Sequence, residues 1–531
     1  MAEPETKAQG NEDSQTGLLH HEHPPLETAA PGQRGEADPA DDYHPDTHHA
    51  DKNPTLEQIE VAASESHHGL IRERGPRIGR EEEAKLALEH TLITPATAWT
   101  LVVFFLLTIF SVPILQHVVE IRRNLAERRA AAAEGQKAEG KVLPDIYDAF
   151  QELPSWDQVR SVSTPQEAWS LIPSAARFNE HETALQDNSV IVQWTLPRAQ
   201  TVLARIGVGN EQAYLGRDGW LMYRPDVDYL TSRGFLDPAL MTVRQRAGDT
   251  DTAAVQPDPV RAIVDFKEQL GARGITLIVM PAPTKSMIHP EKMSSRYTTG
   301  HGLLQNPSFP QFRQAMEGAG VKLFDVAPRL VAEKHRTDQA QYLETDTHWT
   351  PSAMELAARE LANFIRSEVK LPQQESPGYT RSEQEIANLG DVAEMLKLPA
   401  NQTLFKKQRV RIHPVKTPDG ELWYPDRDAD ILLLGDSFSN IFSLGGMNWG
   451  EAAGFAEQLS YEMQRPLDTI INNAGGSHVT RQQLVRDLAR GKDRLKGKKL
   501  VIWEFAMRDL LSGDWKLLKL PSGKRKQTFV E

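Results

Sequence analysis

The stretch Asp430–Ser439, DILLLGDSFS, determines the predicted fold of this chain. Its first half is apolar without alternation, which is typical of a strand buried on both faces of a parallel sheet. The strand ends at Gly435-Asp436-Ser437, so the Ser437 hydroxyl is expected at the carboxyl end of the sheet, where open α/β folds hold their chemistry. A serine becomes a useful nucleophile only beside a base, and the rest of the chain must supply one.

The pattern of that strand recurs elsewhere in the chain. Four further runs predict buried strands: Ile275–Met280, Val321–Asp325, Leu467–Asn472 and Leu500–Trp503. Helical patterns lie between them: Asp258–Leu270, Pro351–Ile365, Glu451–Met463 and Thr480–Leu488. This alternation predicts the α/β class, with a doubly wound parallel sheet. The segment Leu371–Asp426 has few such signals and is predicted to be an insertion or a cap.

The candidate base is His348, in the sequence Asp346-Thr347-His348-Trp349. Thr350 is a good helix N-cap and Pro351 a good first helical residue, so Asp346 and His348 lie in the loop before a predicted helix. Residues two apart in an extended loop project to the same side. Asp346 and His348 are therefore placed to meet a serine from another loop.

Composition separates an acidic tail from the rest of the chain. Residues 1–70 have 15 Asp or Glu against 3 Lys or Arg, a formal charge of −12, while the 531-residue chain has −13. The body is therefore nearly neutral, which argues against nucleic acid as a partner. Residues 1–90 are predicted to be disordered. They hold nine of the 17 histidines, which indicates either weak metal capture or a solvated low-complexity tail.

The chain has no cysteine. Disulfides, cysteine nucleophiles and thiolate metal sites are therefore excluded. The compartment stays open, because many periplasmic proteins need no disulfide.

An uncharged apolar segment, Ala96–Leu115, is long enough to cross a bilayer as a helix. We predict a transmembrane helix at 95–117, a charged, Ala-rich helical stalk at 118–142 and one folded domain at 143–531. The flanks of the span hold three and four nearby Lys or Arg residues. The positive-inside rule leans only slightly toward a cytoplasmic body and does not decide the orientation.

The pairing of Gly-Asp-Ser with Asp-x-His resembles the SGNH hydrolase superfamily. In most of that superfamily the serine comes first, whereas here Asp346 and His348 precede Ser437. This order resembles the circularly permuted branch, the alginate O-acetyltransferase family (AlgJ/AlgX-like). Over roughly 175–515, three further segments resemble elements of that family: 216–223 (GRDGWLMY), 280–291 (MPAPTKSMIHPE) and 453–459 (AGFAEQL).

Two SGNH blocks that supply oxyanion donors depart from the usual pattern. In 473–480, NAGGSHVT, His478 follows Ser477 where the superfamily has a glycine, although its backbone N–H is retained. In 503–509, WEFAMRD, Arg508 stands where the superfamily has an asparagine. Ser477, His478 and Arg508 are therefore candidates for binding the oxyanion or the substrate. As alternatives, Arg508 pairs with a neighbouring carboxylate, Glu504 or Asp509, and His478 caps the helix that follows.

The resemblance implies a membrane-anchored O-acetyltransferase that modifies a bacterial exopolysaccharide through an acetyl-serine intermediate. Ser437 would be the nucleophile, His348 the base and Asp346 the residue that orients His348, with no metal and no cofactor. It implies a polysaccharide acceptor, a membrane-bound O-acyltransferase as acetyl supplier, and a periplasmic body anchored in the inner membrane. A polysaccharide acetyl esterase and a non-catalytic polysaccharide-binding or assembly protein are the alternatives. The residues alone leave the polymer, the donor and the oligomeric state undetermined.

Overall fold

The computed structural model describes residues 94–133, 154–165, 167, 171, 182–183, 185–186, 188–247, 254–473 and 475–521. The tail predicted at 1–90 and residues 134–142 of the predicted stalk lie outside these ranges.

Secondary structure in the described ranges alternates between helices and short strands. The helices are α1 Pro95–Ala133, α2 Trp156–Arg160, α3 Val190–Arg205, α4 Arg224–Thr231, α5 Pro238–Ala247, α6 Pro259–Gly271, α7 Lys285–Ile288, α8 Pro290–Met293, α9 Phe309–Gly318, α10 Ala327–Thr337, α11 Pro351–Glu368, α12 Asp391–Met395, α13 Ser437–Asn440, α14 Phe455–Met463, α15 Val479–Ala489 and α16 Asp509–Ser512. The strands are β1 Ala213–Leu215, β2 Leu221–Tyr223, β3 Thr276–Ala282, β4 Lys322–Leu323, β5 Thr380–Arg381, β6 Gln384–Asn388, β7 Gln408–Ile412, β8 Val415–Lys416, β9 Ile431–Gly435, β10 Asp468–Ile471 and β11 Leu500–Ala506.

The five predicted strands form one parallel sheet in the order β10-β9-β11-β3-β4. Every residue of β9 and β11 is buried, as expected for apolar runs covered by helices on both faces. The predicted α/β fold is therefore confirmed. Several boundaries differ from the prediction: β4 is limited to Lys322–Leu323, α14 begins at Phe455, and β11 extends to Ala506.

Local signals around the Asp-x-His loop are confirmed. The Thr350 side chain accepts a hydrogen bond from the Ala353 amide at 3.3 Å, and Pro351 is the first residue of α11. The buried residues of α11 include Met354, Leu361 and Ile365. The helix thus fixes the loop before it against the core.

The apolar segment forms the first half of α1, which continues without interruption through the predicted stalk to Ala133. It is long and apolar enough to cross a membrane, because an 18-residue stretch of it has a mean hydropathy of 2.3. None of that stretch is buried by the rest of the described protein. The span and the described part of the stalk are therefore one helix.

The segment Leu371–Asp426 forms a small insertion. It contains two antiparallel pairs, β5 with β8 and β6 with β7, and the short helix α12. At its Gly390, φ is +97° and a Cβ atom would lie 2.6 Å from the Thr345 carbonyl oxygen. This close approach brings the start of α12 against the loop that holds Asp346 and His348.

Candidate active site

The turn after β9 is built around Gly435 and Asp436. A Cβ atom on Gly435 would lie 2.5 Å from Ser439 Oγ, so only glycine lets the chain fold back this tightly. The Asp436 side chain accepts hydrogen bonds from the amide of Phe438 at 2.8 Å and the amide of Ala506 at 2.7 Å. Asp436 therefore joins the turn to the end of β11 and fixes Ser437 as the first residue of α13.

A buried acid, Glu504, supports this turn from β11. Glu504 Oε2 accepts hydrogen bonds from the Asp436 amide at 2.9 Å and Ser439 Oγ at 2.7 Å, and the residue is fully buried. Burial raises the pKa of Glu504 well above its ordinary value, and the charge of Asp436 adds to the rise. Glu504 therefore favours its neutral form more than an exposed glutamate does, and it holds the serine turn through these hydrogen bonds.

Asp346 and His348 form the buried pair that the sequence predicts. Asp346 Oδ1 lies 2.6 Å from His348 Nδ1, and Asp346 also accepts from Trp449 Nε1 at 2.9 Å. Burial opposes the charge on Asp346, but the hydrogen bond and charge of His348 lower the pKa of Asp346 to about 2. Burial would lower the pKa of His348, yet Asp346 raises it above the ordinary value. The carboxylate thus holds the Nδ1 proton and increases the basicity of the ring.

The histidine loop packs directly on the serine turn. The His348 and Phe438 rings are 4.9 Å apart, and Trp349 Nε1 donates to the Phe438 carbonyl oxygen at 3.2 Å. His348 Nε2 is buried and has no hydrogen-bond partner in the described chain. Ser437 is only 7% exposed, and no acceptor for its amide is present among the described residues. A free ring nitrogen and a free amide therefore occur at adjoining loops.

Asp391 is a second carboxylate beside His348, and the sequence did not predict it. Its side chain accepts from the Thr347 amide at 2.7 Å and Thr347 Oγ1 at 2.6 Å, and Oδ2 lies 3.8 Å from His348 Nδ1. Burial raises the pKa of Asp391 to about 6, and the charge of Asp346 adds to this rise. The only sequence signal for Asp391 is its place after Gly390, at the start of a helix. Acidic residues are common at helix starts, so this signal does not distinguish a functional residue.

The ligand atoms of Asp346, His348 and Asp391 lie within 4.8 Å of one another. Metal binding would require a deprotonated His348 Nδ1, because a metal ligand must offer a free lone pair. The 2.6 Å contact with Asp346 already uses Nδ1 as a hydrogen-bond donor. The three residues therefore fit an oriented general base better than a metal centre.

Arg508 pairs with Asp226, and not with Glu504 or Asp509 as the sequence alternative proposed. Arg508 Nη1 lies 3.0 Å from Asp226 Oδ1, and the guanidinium carbon lies 5.6 Å from the Phe438 ring centroid. Burial opposes its charge, but Asp226 and then Asp436 raise the pKa of Arg508 above its ordinary value. Asp226 Oδ2 is buried without a partner in the described chain. A permanent cation therefore lies beside the residue that follows Ser437.

The backbone amides of the two loop candidates, Ser477 and His478, are already engaged. The Ser477 amide donates to Asp509 Oδ2 at 3.0 Å, and the His478 amide donates to the Gly475 carbonyl oxygen at 3.1 Å. His478 is the residue before α15, and its pKa is lowered by burial and by Lys516. The His478 side chain makes no capping hydrogen bond to α15, and its Nδ1 is buried without a partner in the described chain, so the helix-capping alternative for His478 is not supported.

Gly476 provides the free amide in this loop. Its N–H has no acceptor among the described residues, and a Cβ atom there would lie 3.1 Å from Asp436 Oδ2. Gly476 therefore lies against the serine turn, directly before the sequence candidates Ser477 and His478.

Lys285 has a structural role at the back of the site. Its Nζ donates to the carbonyl oxygens of Leu221 at 2.7 Å and Glu344 at 3.1 Å, and its side chain is buried. Burial lowers the pKa of Lys285 to about 8. Lys285 therefore links β2 and Glu344, just before the Asp346 loop, to the segment that follows β3.

The parallel sheet, the Gly-Asp-Ser turn and the Asp-x-His loop define an SGNH-hydrolase-like domain. The chain belongs to the family described as "SGNH hydrolase-like domain, acetyltransferase AlgX", which residues 214–507 match. The family and the acetyltransferase class expected from the resemblance are thereby confirmed.

The chain is also similar to individual proteins of bacterial alginate synthesis. It is 24% identical to the probable alginate O-acetylase AlgJ of Pseudomonas syringae pv. tomato over 309 residues, which is 57% of this chain and 70% of that protein. It is 25% identical to the alginate biosynthesis protein AlgX of Pseudomonas aeruginosa over 260 residues, which is 46% of this chain and 50% of that protein. A solved structure, the O-acetyltransferase domain of Pseudomonas putida AlgJ, matches with a TM-score of 0.42 and 18% identity over 57% of this chain and 93% of that one.

Proposed function

We propose that this protein is a membrane-anchored O-acetyltransferase that acetylates hydroxyl groups of an exopolysaccharide through an acetyl-Ser437 intermediate. The observation that supports this most is the 2.6 Å contact between Asp346 and His348 Nδ1. The other ring nitrogen of His348, Nε2, has no partner among the described residues, and the ring packs on Phe438 in the Ser437 turn. Acid, base and nucleophile are the parts that acyl transfer through serine requires.

In the first half-reaction, Ser437 Oγ attacks the carbonyl carbon of an acetyl ester while its proton passes to His348 Nε2. The negative oxygen of the tetrahedral intermediate would accept hydrogen bonds from the Ser437 and Gly476 amides, with Arg508 nearby as a cation. Each such donor typically contributes ~3 kcal/mol to transition-state stabilisation. His348 then protonates the departing alcohol, which leaves acetyl-Ser437.

In the second half-reaction, His348 removes the proton of a sugar hydroxyl as that oxygen attacks the acetyl-Ser437 carbonyl. Collapse of the intermediate releases the acetylated sugar and returns the proton to Ser437. Asp346 keeps the imidazole in the productive tautomer and stabilises its positive form. If water replaced the sugar, the same residues would perform the esterase reaction.

The proposed acceptor rests on the relatives, and the proposed supplier rests on the membrane anchor. Proteins named alginate O-acetylase are similar to this chain, so we propose an exopolysaccharide acceptor of the alginate type. We place the body in the periplasm, with α1 in the inner membrane. One span cannot carry acetyl groups across a bilayer, so we propose that a membrane-bound O-acyltransferase delivers them.

Two experiments test this proposal. Intact-mass measurement after exposure to an aryl acetate should show one added acetyl group in the wild type, none in Ser437→Ala, and its loss when an oligosaccharide acceptor is added. Loss of the acetyl group to water at the same rate with and without acceptor would favour the esterase. A reporter active only in the periplasm should be active when fused after Glu531 and silent when fused before Met1, and the reverse pattern would contradict the proposed orientation.

A further inference from the structure

The outer face of helix α3 exposes apolar and basic side chains together. This face consists of Trp194, Arg198, Val202, Arg205 and Ile206, the last being the residue that follows the helix. Four of them are spaced four residues apart, which puts them on one side of the helix. Trp194 is 60% exposed, Val202 58% and Ile206 68%. Grouped exposed apolar residues, unlike single ones, mark a surface that meets a membrane or another protein.

The opposite face of α3 is turned toward the folded domain. Leu196 and Leu203 line a groove that is also lined by Met395 and Lys397, at the end of α12. Ala204, near the end of α3, is buried. The domain therefore already uses one face of α3, and the outer face is available for a different partner.

The start of α3 is bound at the end of the apolar part of α1. Gln116 directly follows the apolar segment Ala96–Leu115. Its Nε2 donates to the Asn188 carbonyl oxygen at 2.9 Å, and its Oε1 accepts from the Val190 amide at 2.7 Å. A helix of about 20 apolar residues extends about 30 Å, the thickness of the hydrocarbon core. When α1 spans a membrane, Gln116 therefore lies near the headgroups, and α3 begins at that level.

The charge of α3 suits an anionic headgroup layer. The helix contains Arg198 and Arg205 and no Asp or Glu. Neither guanidinium is paired with a carboxylate of the described residues, and the Arg198 guanidinium carbon instead lies 4.4 Å from the Trp194 ring centroid. Two arginines make the hydrocarbon core unfavourable for this face. Tryptophan is enriched at the membrane–water interface, and arginine is attracted to anionic lipids.

From these observations we infer that α3 lies on the membrane surface, with its outer face against anionic phospholipid headgroups. The inference rests on the membrane anchor of the proposed function and adds a second, separate contact with the lipid. It does not depend on acetyl transfer.

Such a contact would also position the active site. Asn210, shortly after α3, donates through Nδ2 to the Met395 carbonyl oxygen at 2.7 Å. Met395 ends α12, and Asp391 at its other end accepts from Thr347 in the histidine loop. A docked α3 would therefore hold the histidine loop at a fixed height above the membrane, where we propose that acetyl groups are delivered.

The chain has no cysteine, so a single introduced cysteine gives a unique site for a fluorescent label. Full-length protein is reconstituted in protein-free vesicles of equal parts phosphatidylcholine and phosphatidylglycerol, with acyl chains brominated close to the headgroups as quenchers. We expect quenching of a label on Val202→Cys and on Val103→Cys, which lies in the apolar part of α1. Val243 on α5 is 62% exposed, and a label on Val243→Cys is the matched control that should stay bright.

Removing the two positive charges tests the choice of lipid. Each arginine near an anionic surface strengthens membrane binding about fivefold, so Arg198→Gln with Arg205→Gln should lower the ratio of docked to undocked α3 about 25-fold. Quenching at Val202→Cys should fall accordingly, and vesicles of phosphatidylcholine alone should reduce it in the same way. Arg246→Gln, an exposed arginine on α5, is the control and should have no effect.

The labels separate failure of this inference from failure of the anchor. Quenching at Val103→Cys without quenching at Val202→Cys would overturn the inference and leave the anchor intact. That result is also expected if the outer face binds a membrane protein instead of lipid. Unchanged quenching at Val202→Cys after loss of both arginines would overturn the assignment to anionic headgroups. No quenching at Val103→Cys would overturn the anchor and this inference together.

Discussion

Replacing Asp346 with asparagine tests the geometry of the base most directly. Asp346 accepts four hydrogen bonds: Oδ1 from His348 Nδ1 at 2.6 Å and the His348 amide at 3.1 Å, and Oδ2 from Trp449 Nε1 at 2.9 Å and the Asp391 amide at 3.0 Å. An asparagine has one accepting oxygen and one donating nitrogen. One of the two pairs of donors must therefore face the new NH₂ group.

The cost of each orientation predicts which one forms. If the NH₂ group faces Trp449 and Asp391, two buried N–H groups lose their acceptors, at about 1–3 kcal/mol each. If it faces His348, it can donate to Nδ1, and only the His348 amide is left unsatisfied. The second orientation is therefore favoured by about 1–3 kcal/mol. It puts the ring proton on Nε2, so that His348 cannot accept the Ser437 proton.

We therefore expect kcat/KM of Asp346→Asn for an aryl acetate to fall about 10⁴-fold, the loss that the wrong tautomer causes in a serine protease. The folded protein should be retained, which a urea titration would verify. Adding Trp449→Phe removes one donor from the other side, so the double variant should recover part of the activity. Activity within tenfold of the wild type in Asp346→Asn would refute this reasoning, and no recovery in the double variant would refute the orientation argument.

Three other changes give distinct outcomes. Asp391→Asn removes a negative charge 3.8 Å from His348 Nδ1, and this charge contributes to the raised pKa of His348. In a pH–rate profile, the pH at which the rate rises should therefore be lower in the variant than in the wild type. An upward shift would contradict this. Arg508→Lys lets one ammonium either pair with Asp226 or reach the oxyanion, so kcat for an aryl acetate should fall about 10²–10³-fold with little change in KM; an unchanged kcat would exclude a role in the transition state. Glu504 has a raised pKa, so its stabilising contribution is complete below the ordinary pKa of 4.5 and is lost as the pH rises toward the folded value. Near the ordinary pKa of 4.5, Glu504→Gln should therefore unfold at a urea concentration similar to that of the wild type. At higher pH the variant should lose less stability than the wild type. A parallel loss of stability in both proteins would show that Glu504 is not the titrating group.

The sequence by itself determined the sheet and the position of the main catalytic candidates. The five strands are short runs dominated by aliphatic residues, and such signals are contained within a few residues. The Asp346–His348 contact was predictable for the same reason, because the two residues are two positions apart in one loop. The N-cap at Thr350 and the apolar helix α1 were also encoded locally, although the sequence divided α1 into a span and a stalk that form one helix.

Only the tertiary structure decided what surrounds these residues. Asp391 reaches Thr347 across 44 residues, Glu504 reaches Ser439 across 65, and Arg508 reaches Asp226 across 282. A charged residue has many candidate partners at such separations, and the choice depends on how helices and loops pack on the sheet. For Arg508 the nearby carboxylates of Glu504 and Asp509 were reasonable partners by sequence distance. The fold instead uses Glu504 to hold the serine turn and Asp509 to hold the Ser477 amide, which leaves Asp226 to balance the arginine.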